Sequence, residues 1–392
     1  MIIRKAAVNG FYDALKLVGS TGCDVCAVRL LVKKGVFAPV VIDNIDNRAA
    51  NILKQEALGC GADAAVNENV SRFKKGYSSA LILATAKQLE ILSAKLASQP
   101  FGLKEAAKLI ALTAAEAVSE KKIFRYGKAF LDLSMPAVMG IINMSPDSFS
   151  GDGLSDADAA AARAKEFERD GAKIIDLGAE SSRPGAKSAG AKEEIKRLIP
   201  ALKKIKKAVK IPVSVDTHRY ETAKAALAEG ADIINDTYAL RYGKEKLAKL
   251  IAGNKAGVIL MHMKGVPGSM QKNPAYKNCV SEVFDFLDER RKFALNCGIK
   301  EDYISVDPGI GFGKTVNHNF ELVKNMKAFA FLGAVTAGVS RKSFVKNTSG
   351  NNTSSFVAAN IAAVSNGADI IRAHDVKETA AALKFLTELR KI

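Results

Sequence analysis

Lys342, Arg372 and His374 fall in the last two of eight short apolar segments strung between Val138 and Val376, and two fixed cations beside an imidazole could hold an anion. On a strand, residues two apart face the same way, so Arg372 and His374 of DIIRAH point together while Ala373 faces the other side. Gly338, Ser340 and Lys342 share one parity in GVSRKS in the same manner. A phosphorylated ligand is the occupant this cluster implies. Three earlier segments, PVSVD, DIIND and YISVD, bring Asp216, Asn235 and Asp307 to their ends. Together these give a fan of acceptors and an amide donor, with Met261 and Phe312 close by in sequence to cover the faces of a flat ring. Asn143 closes the first segment, VMGIIN. The strand-end words hold no Ser/His/Asp or Cys/His pairing, so a covalent enzyme intermediate is not expected.

Side chains of this kind at the ends of many different strands need a scaffold that points all those ends to one place. The eight segments alternate with amphipathic stretches such as KEEIKRLIPALKKIKKAV, SEVFDFLDERRKFALNCG and KETAAALKFLTEL, five of which end at or just before a glycine. Ser155 is placed to cap DADAAAARAKEFERDGA, the stretch after the first segment, with Asp158 three residues on and Gly171 as its stop. Strand and helix alternating eight times predict a (β/α)8 barrel over residues 122–392, with the site at the carboxyl ends of its strands and an anion site built by strands seven and eight. The segment IFRYGKAFLDLSMP reads as a hairpin plugging the bottom of that barrel. An open doubly wound sheet is disfavoured because no GxGxxG follows the first strand.

Residues 138–392 resemble the dihydropteroate synthase family. The words that carry the resemblance are MGIINMSPDSFS, DLGAESSRPGA, SVDTHRYETAKAALAEGADIINDT, LMHMKGVPGSMQKNP, DPGIGFGKT, GVSRKSF and RAHDV, in that order. The resemblance implies joining of a dihydropterin pyrophosphate to 4-aminobenzoate. Asp216, Asn235, Met261, Asp307, Phe312, Gly338 and Lys342 would then bind the pterin. Asn143, Ser182, Arg183, Pro184, Ser343, Arg372 and His374 would meet pyrophosphate and 4-aminobenzoate, and Asn143 would help hold Mg2+. Lys342, Arg372, His374 and the loop carboxylate Asp152 would carry the chemistry. Two departures stand out: Ser145 and Ser182 occupy positions where many members have threonine, and GDG at 151–153 replaces the commoner DGG, which shifts Asp152 one place. The nearest rival is the pterin-binding barrel of corrinoid methyltransferases, which has no pyrophosphate to expel and no need of the GVSRKSF and RAH cations. A pterin-binding paralogue without catalysis is a third reading.

Composition sets the bounds around this. A chain of 392 residues with 48% hydrophobic content can bury more than one core, and one barrel uses about 250 residues, so a second domain is expected. Residues 1–121 read as a small α/β accessory domain of about four helices and three or four strands, of a kind that precedes the barrel in longer family members, and contain no motif of a fused pyrophosphokinase or aldolase. The formal charge of +17 is spread along the chain, with 18 basic against 11 acidic residues in 1–125 and 40 against 30 in 126–392. Its densest run, KKIKKAVK, has no interleaved aromatics, so no nucleic-acid partner is expected. No apolar run reaches membrane-spanning length and MIIRKAAVNGFYDALK lacks a signal-peptide layout, so a cytoplasmic enzyme without membrane contact is expected. The five cysteines are read as reduced thiols, and the lone CxxC of Cys23 and Cys26 has no second pair to complete a zinc site. A homodimer through the late helices follows from the resemblance and from SSFVAANIAAVSN, which is small and apolar over most of its surface.

Overall fold

The computed structural model describes the chain except for Ile2, Lys5, Glu120, Lys121, residues 145–155 and 180–189, Pro267 and Ile392, and the side chains of Arg390 and Lys391. The chain divides into two compact units, Met1–Glu120 and Lys121–Ile392.

In the first unit an antiparallel sheet runs in the order Val40–Asp46, Tyr77–Leu83, Asp63–Val66. Helices Asn47–Leu58, Ala86–Leu96 and Leu103–Glu116 supply Leu53, Leu89, Leu92, Leu96 and Ile110 to its core. Thr85 and Gln88 form a reciprocal capping box that fixes where the second of these begins. The sequence reading anticipates this sheet but not two helices before it, Phe11–Gly19 and Val25–Gly35, which pack around Ala14, Val32 and Val36. Their start signals are weak, since Gly10 offers no capping side chain and only Asp24 accepts an amide, from Cys26.

In the second unit eight parallel strands close into a barrel, each hydrogen-bonded to the next in sequence and the last to the first. They are Ala137–Asn143, Ile174–Gly178, Val213–Asp216, Ile233–Asp236, Gly257–Met261, Ile304–Asp307, Ala334–Ala337 and Ile370–Ala373. The period-two alternation divides each strand cleanly. Ile175, Leu177, Val215, Ile234, Leu260, Val306, Ile371 and Ala373 face outward into the large core under the helices. Met139, Ile174, Ile233, Ile259, Ala334 and Ile370 face inward as an apolar floor. The antiparallel pair Ile123–Tyr126 and Ala129–Asp132 closes that floor from below with the fully buried ring of Phe124. Gly257 makes this approach possible, because a Cβ there would lie 2.9 Å from the tip of Phe124 and 3.0 Å from the Arg125 carbonyl. Lys122–Asp369 and Arg125–Asp302 ion pairs and a hydrogen bond from the Tyr303 hydroxyl to the Gly127 carbonyl hold the hairpin in place.

Three local expectations need correction. Strand seven is AVTA, Ala334–Ala337, and not GVSRKS, so Lys342 stands in a turn and immediately precedes an additional helix, Ser343–Ser349. The helix after strand one is capped by Asp156, which accepts from the Ala159 amide, while Ser155 lies outside the described residues. The stretch NHNFELVKNMKAF, another of the amphipathic segments that alternate with the strands and that reads as a single helix, is split into Val316–Lys324 and a 3-10 segment, Met326–Leu332.

Candidate active site

Above the apolar floor the inward positions turn polar. Register aligns Gly178, Asp216 and Asn235 across strands two to four, and Met261 with Asp307 across strands five and six. Arg372, two residues above Ile370 on strand eight, reaches into this layer. Its Nε donates to Asp176 Oδ2 at 2.8 Å, its Nη2 donates to the same oxygen, and Nη2 also donates to Asp216 Oδ2 at 3.0 Å. Asn235 Nδ2 donates to Asp176 Oδ2 at 3.2 Å. Asp176 is therefore the hub that locks Arg372, and the sequence reading overlooks it. Its signal was available: Asp176 shares the inward parity of Ile174 and Gly178 within an otherwise apolar strand. Its second oxygen, Oδ1, is buried without a hydrogen-bond partner among the described residues.

Lys342 approaches from the side of strand seven. Arg341 before it adopts a left-handed conformation (φ 57°) and pairs with Asp375, which turns the chain so that Lys342 Nζ lies 4.1 Å from the centroid of Phe312. Phe312 packs with Met261, Met263 and Met270, and Tyr238 borders the same cluster. Gly338 follows strand seven, and a Cβ there would come 3.8 Å from Arg372 Cβ. The amide and Nδ1 of His374 both lie 3.4 Å from Ser340 Oγ. Ser343, exposed, begins the short helix. Asn143 ends strand one with its Oδ1 leaning over Gly178 toward Asp216. Of the other expected site residues, Asp152, Ser182, Arg183 and Pro184 lie outside the described residues.

Packing these charges together out of water shifts their protonation. Burial lowers Lys342 to about 8, and Arg372 adds to the fall while Asp307 and Asp216 oppose it. Burial raises the Asp307 carboxyl, against the Gly309 amide that donates to it at 2.7 Å and the cations Arg372, Lys342 and Lys314. Burial raises Asp216 as well, with Arg372 opposing and Asp176 reinforcing the rise. Burial alone would lower Arg372, but Asp176, Asp216 and Asp307 more than reverse that and hold the guanidinium charged. Among the described residues the site thus presents one permanent cation, Arg372, one adjustable cation, Lys342, and carboxyls whose charge stays costly until a further donor meets them. His262 and His218 are both buried: His262 Nδ1 lies 2.9 Å from Lys314 Nζ, and the His218 ring lies 4.4 Å from that of Tyr238 and edge-on at 4.7 Å to that of Tyr242.

Comparison with known proteins matches this arrangement to one group. Residues 139–374 fit the family of pterin binding enzymes. The dihydropteroate synthase of Neisseria meningitidis serogroup C is 40% identical over 275 residues, 67% of this chain and 96% of that protein. The dihydropteroate synthase of Streptococcus pyogenes is 38% identical over 273 residues, 68% of this chain and 99% of that protein. The chain belongs to the dihydropteroate synthase family. Among solved synthases, that of Yersinia pestis, in complex with a sulfonamide drug, superposes with a TM-score of 0.66 at 34% identity over 69% of this chain and all (100%) of that one. That of Burkholderia cenocepacia, complexed with 7,8-dihydropteroate, gives 0.62 at 33% identity over 69% and 97%. The synthase likeness covers the barrel unit and leaves the amino-terminal unit as an extension, the long form that the sequence suggests.

Proposed function

We propose that the barrel condenses 6-hydroxymethyl-7,8-dihydropterin pyrophosphate with 4-aminobenzoate, releasing 7,8-dihydropteroate and pyrophosphate, as its family name describes. The observation that carries this is the Arg372 clamp: a guanidinium fixed by Asp176 and Asp216, with Lys342 poised over Phe312, sets cations directly beside an Asp/Asn pocket. Asp216, Asn235 and Asp307 read the polar edge of the pterin, and their raised carboxyls gain when its N–H groups replace lost water. Met261 and Phe312 cover its faces. The pyrophosphate then lies toward Lys342, Arg372, His374 and Ser343, and by the family resemblance Ser182, Arg183 and Pro184 would meet pyrophosphate and 4-aminobenzoate while Asp152 would join the chemistry.

The reaction is dissociative: the bond between the pterin methylene carbon and the bridging pyrophosphate oxygen breaks ahead of the new bond, the electron pair leaves with pyrophosphate, and the methylene is left electron-poor. The amine nitrogen of 4-aminobenzoate supplies its lone pair to the methylene and then loses one proton to solvent. The arylamine is its own nucleophile, so the residues need only stabilise departing charge and hold the partners in line. A 10⁶-fold acceleration takes about 8 kcal/mol, and a charge pair at about 4 Å with an effective dielectric of 20 supplies roughly 4. Lys342 and Arg372 are two such pairs.

A magnesium ion suits the same place. Gly178 leaves open the space between Asn143 Oδ1 and Asp216, where a Cβ would touch both at 3.4 and 3.6 Å. One amide oxygen together with pyrophosphate oxygens and water is the donor set that Mg2+ accepts, and when bound it would neutralise charge on the leaving group. We also infer a homodimer through the late helices. Ala358 and Ala362 are exposed on the helix Thr353–Ser365, and Phe320 and Phe385 are exposed on the neighbouring Val316–Lys324 and Val376–Lys391. Among the described residues no helix is long and apolar enough to cross a membrane, which is compatible with the cytoplasmic placement we propose. Competition by sulfonamides for the 4-aminobenzoate site follows from the same reading.

Incubating the protein with dihydropterin pyrophosphate, radiolabelled 4-aminobenzoate and Mg2+ tests the reading. Labelled dihydropteroate is expected. Methyl transfer from a methylated pterin to a corrinoid, with no labelled product, would replace the synthase by the methyltransferase reading.

A further inference from the structure

Lys314 closes the word DPGIGFGK and has no part in the assignments above. It is 3% exposed, and its amine lies 2.9 Å from His262 Nδ1 and donates to the Phe312 carbonyl at 3.0 Å. His262 is also buried, edge-on to Phe286 with centroids 4.9 Å apart. One buried amine therefore ties the residue after strand five to the loop after strand six. Those two segments run in backbone contact. A Cβ on Gly309 (φ +67°) would fall 1.8 Å from the His262 carbonyl, and one on Gly313 (φ +63°) 2.4 Å from that of Lys264. Glycines permit such an approach but leave the loop free to take many conformations, so side chains fix its course: Gln271 donates to the Gly311 carbonyl, the Tyr276 hydroxyl donates to that of Gly313, Asn319 accepts from the Gly311 amide, and Lys314 holds the carbonyl of Phe312 itself.

The anchored residue is the one that matters to the site. Phe312 is buried among Met261, Met263 and Met270, and its ring lies under the Lys342 ammonium. We propose that Lys314 is a positioning residue of the synthase site: by pinning the Phe312 carbonyl beside His262, it sets the ring that supports Lys342 and faces the pterin. The inference rests on the synthase reading. A buried lysine is a costly filler, and a position that needed only volume would be served by methionine or leucine. Burial first, then Lys342 and Lys264, bring Lys314 down to about 7 against the pull of Cys279 and Asp307, which eases its burial. Burial and Lys314 keep His262 near 2, and hence neutral, so that its Nδ1 can accept the amine proton.

The test is a double-mutant cycle in the full chain, using Lys314→Met, Phe312→Leu and the pair, with KM and kcat measured for each substrate. Lys314→Met should raise KM for dihydropterin pyrophosphate roughly tenfold, the fold-change that about one lost hydrogen bond gives, and leave KM for 4-aminobenzoate within about twofold. Once the Phe312 ring is gone, Lys314→Met should add no further loss. Additive losses, or a fall in active enzyme with both KM values unchanged, would reduce Lys314 to a structural residue and overturn the proposal. If Lys314→Met fails to fold, the same cycle with His262→Gln, which leaves the amine its bond to the Phe312 carbonyl, should show the same non-additivity in smaller measure. A wild-type chain that makes no dihydropteroate would remove the synthase reading itself, whereas an active wild type with additive variants would remove only the role of Lys314.

Discussion

Replacing Lys342 by methionine should stabilise the protein while nearly abolishing its activity. The amine is drawn from its ordinary 10.5 to about 8 by burial and by Arg372, so the fold holds it charged at neutral pH only against a penalty. At about 1.4 kcal/mol per pH unit that difference amounts to roughly 3 kcal/mol as an upper bound. The side chain is only partly buried at the mouth and its contact with Phe312 is favourable, which brings the expected gain to about 1–2 kcal/mol. Lys342 also precedes the first turn of Ser343–Ser349, where a positive charge is disfavoured by the helix dipole. The sign fixes the pH window. A lysine lowered in the folded state makes the unfolded chain bind more protons between about 8 and 10.5, so wild-type stability rises across that range. The advantage of Lys342→Met should therefore be full below about pH 8 and fade by 10.5. Urea denaturation at pH 7 and at pH 10 measures it. Turnover should fall about 10² to 10³-fold, as on deleting one preorganised donor to developing charge. A variant less stable than wild type at pH 7, or one with wild-type turnover, would refute the reasoning.

Other consequences are equally concrete. Arg372→Met strands the buried Asp176 carboxylate and should cost roughly 3–5 kcal/mol in denaturant unfolding, and adding Asp176→Asn should recover much of that without restoring activity. A chain beginning at Lys121 keeps the hairpin that plugs the floor, and calorimetry should find a pterin analogue bound to it as tightly as to the full chain. Sulfonamide affinity should rise roughly 5 to 150-fold when pyrophosphate and Mg2+ are added, because the first ligands order what the second must meet, and equal binding without them would refute the coupling. Light scattering at micromolar concentration should give a dimer mass.

The barrel was legible because each of its strands is a short apolar run whose outward residues, such as Leu177, Val215 and Ala373, alternate with inward ones that end in chemistry. The parity of Arg372 and His374 follows directly from that alternation, and Ala373 does lie in the outer core. In DLGAESSRPG the sequence alone singles out Arg183 and not Asp176, although an acid at an inward position of a buried strand must find a cation. The sequence points strand seven to GVSRKS because AVTAGVS is a continuous run of small residues with no charged side chain to mark where the strand stops. The residues Gly338 to Arg341, with a left-handed turn at Arg341 that no local propensity announces, separate the strand from Lys342. The two helices ahead of the first sheet went unread for a similar reason, since their packing around Ala14 and Val32 is tertiary and their caps are slight.

The central claim is that fixed cations draw pyrophosphate away while the arylamine itself makes the new bond. A single turnover with enzyme in excess over dihydropterin pyrophosphate, quenched at intervals and analysed for pyrophosphate, dihydropteroate and labelled protein, tests it most directly. The account predicts pyrophosphate and dihydropteroate in equal amounts at one rate, no pterin attached to the protein, and loss of both products in Lys342→Met. Pterin bound covalently to the chain, or dihydropteroate formed at the wild-type rate without Lys342, would contradict it.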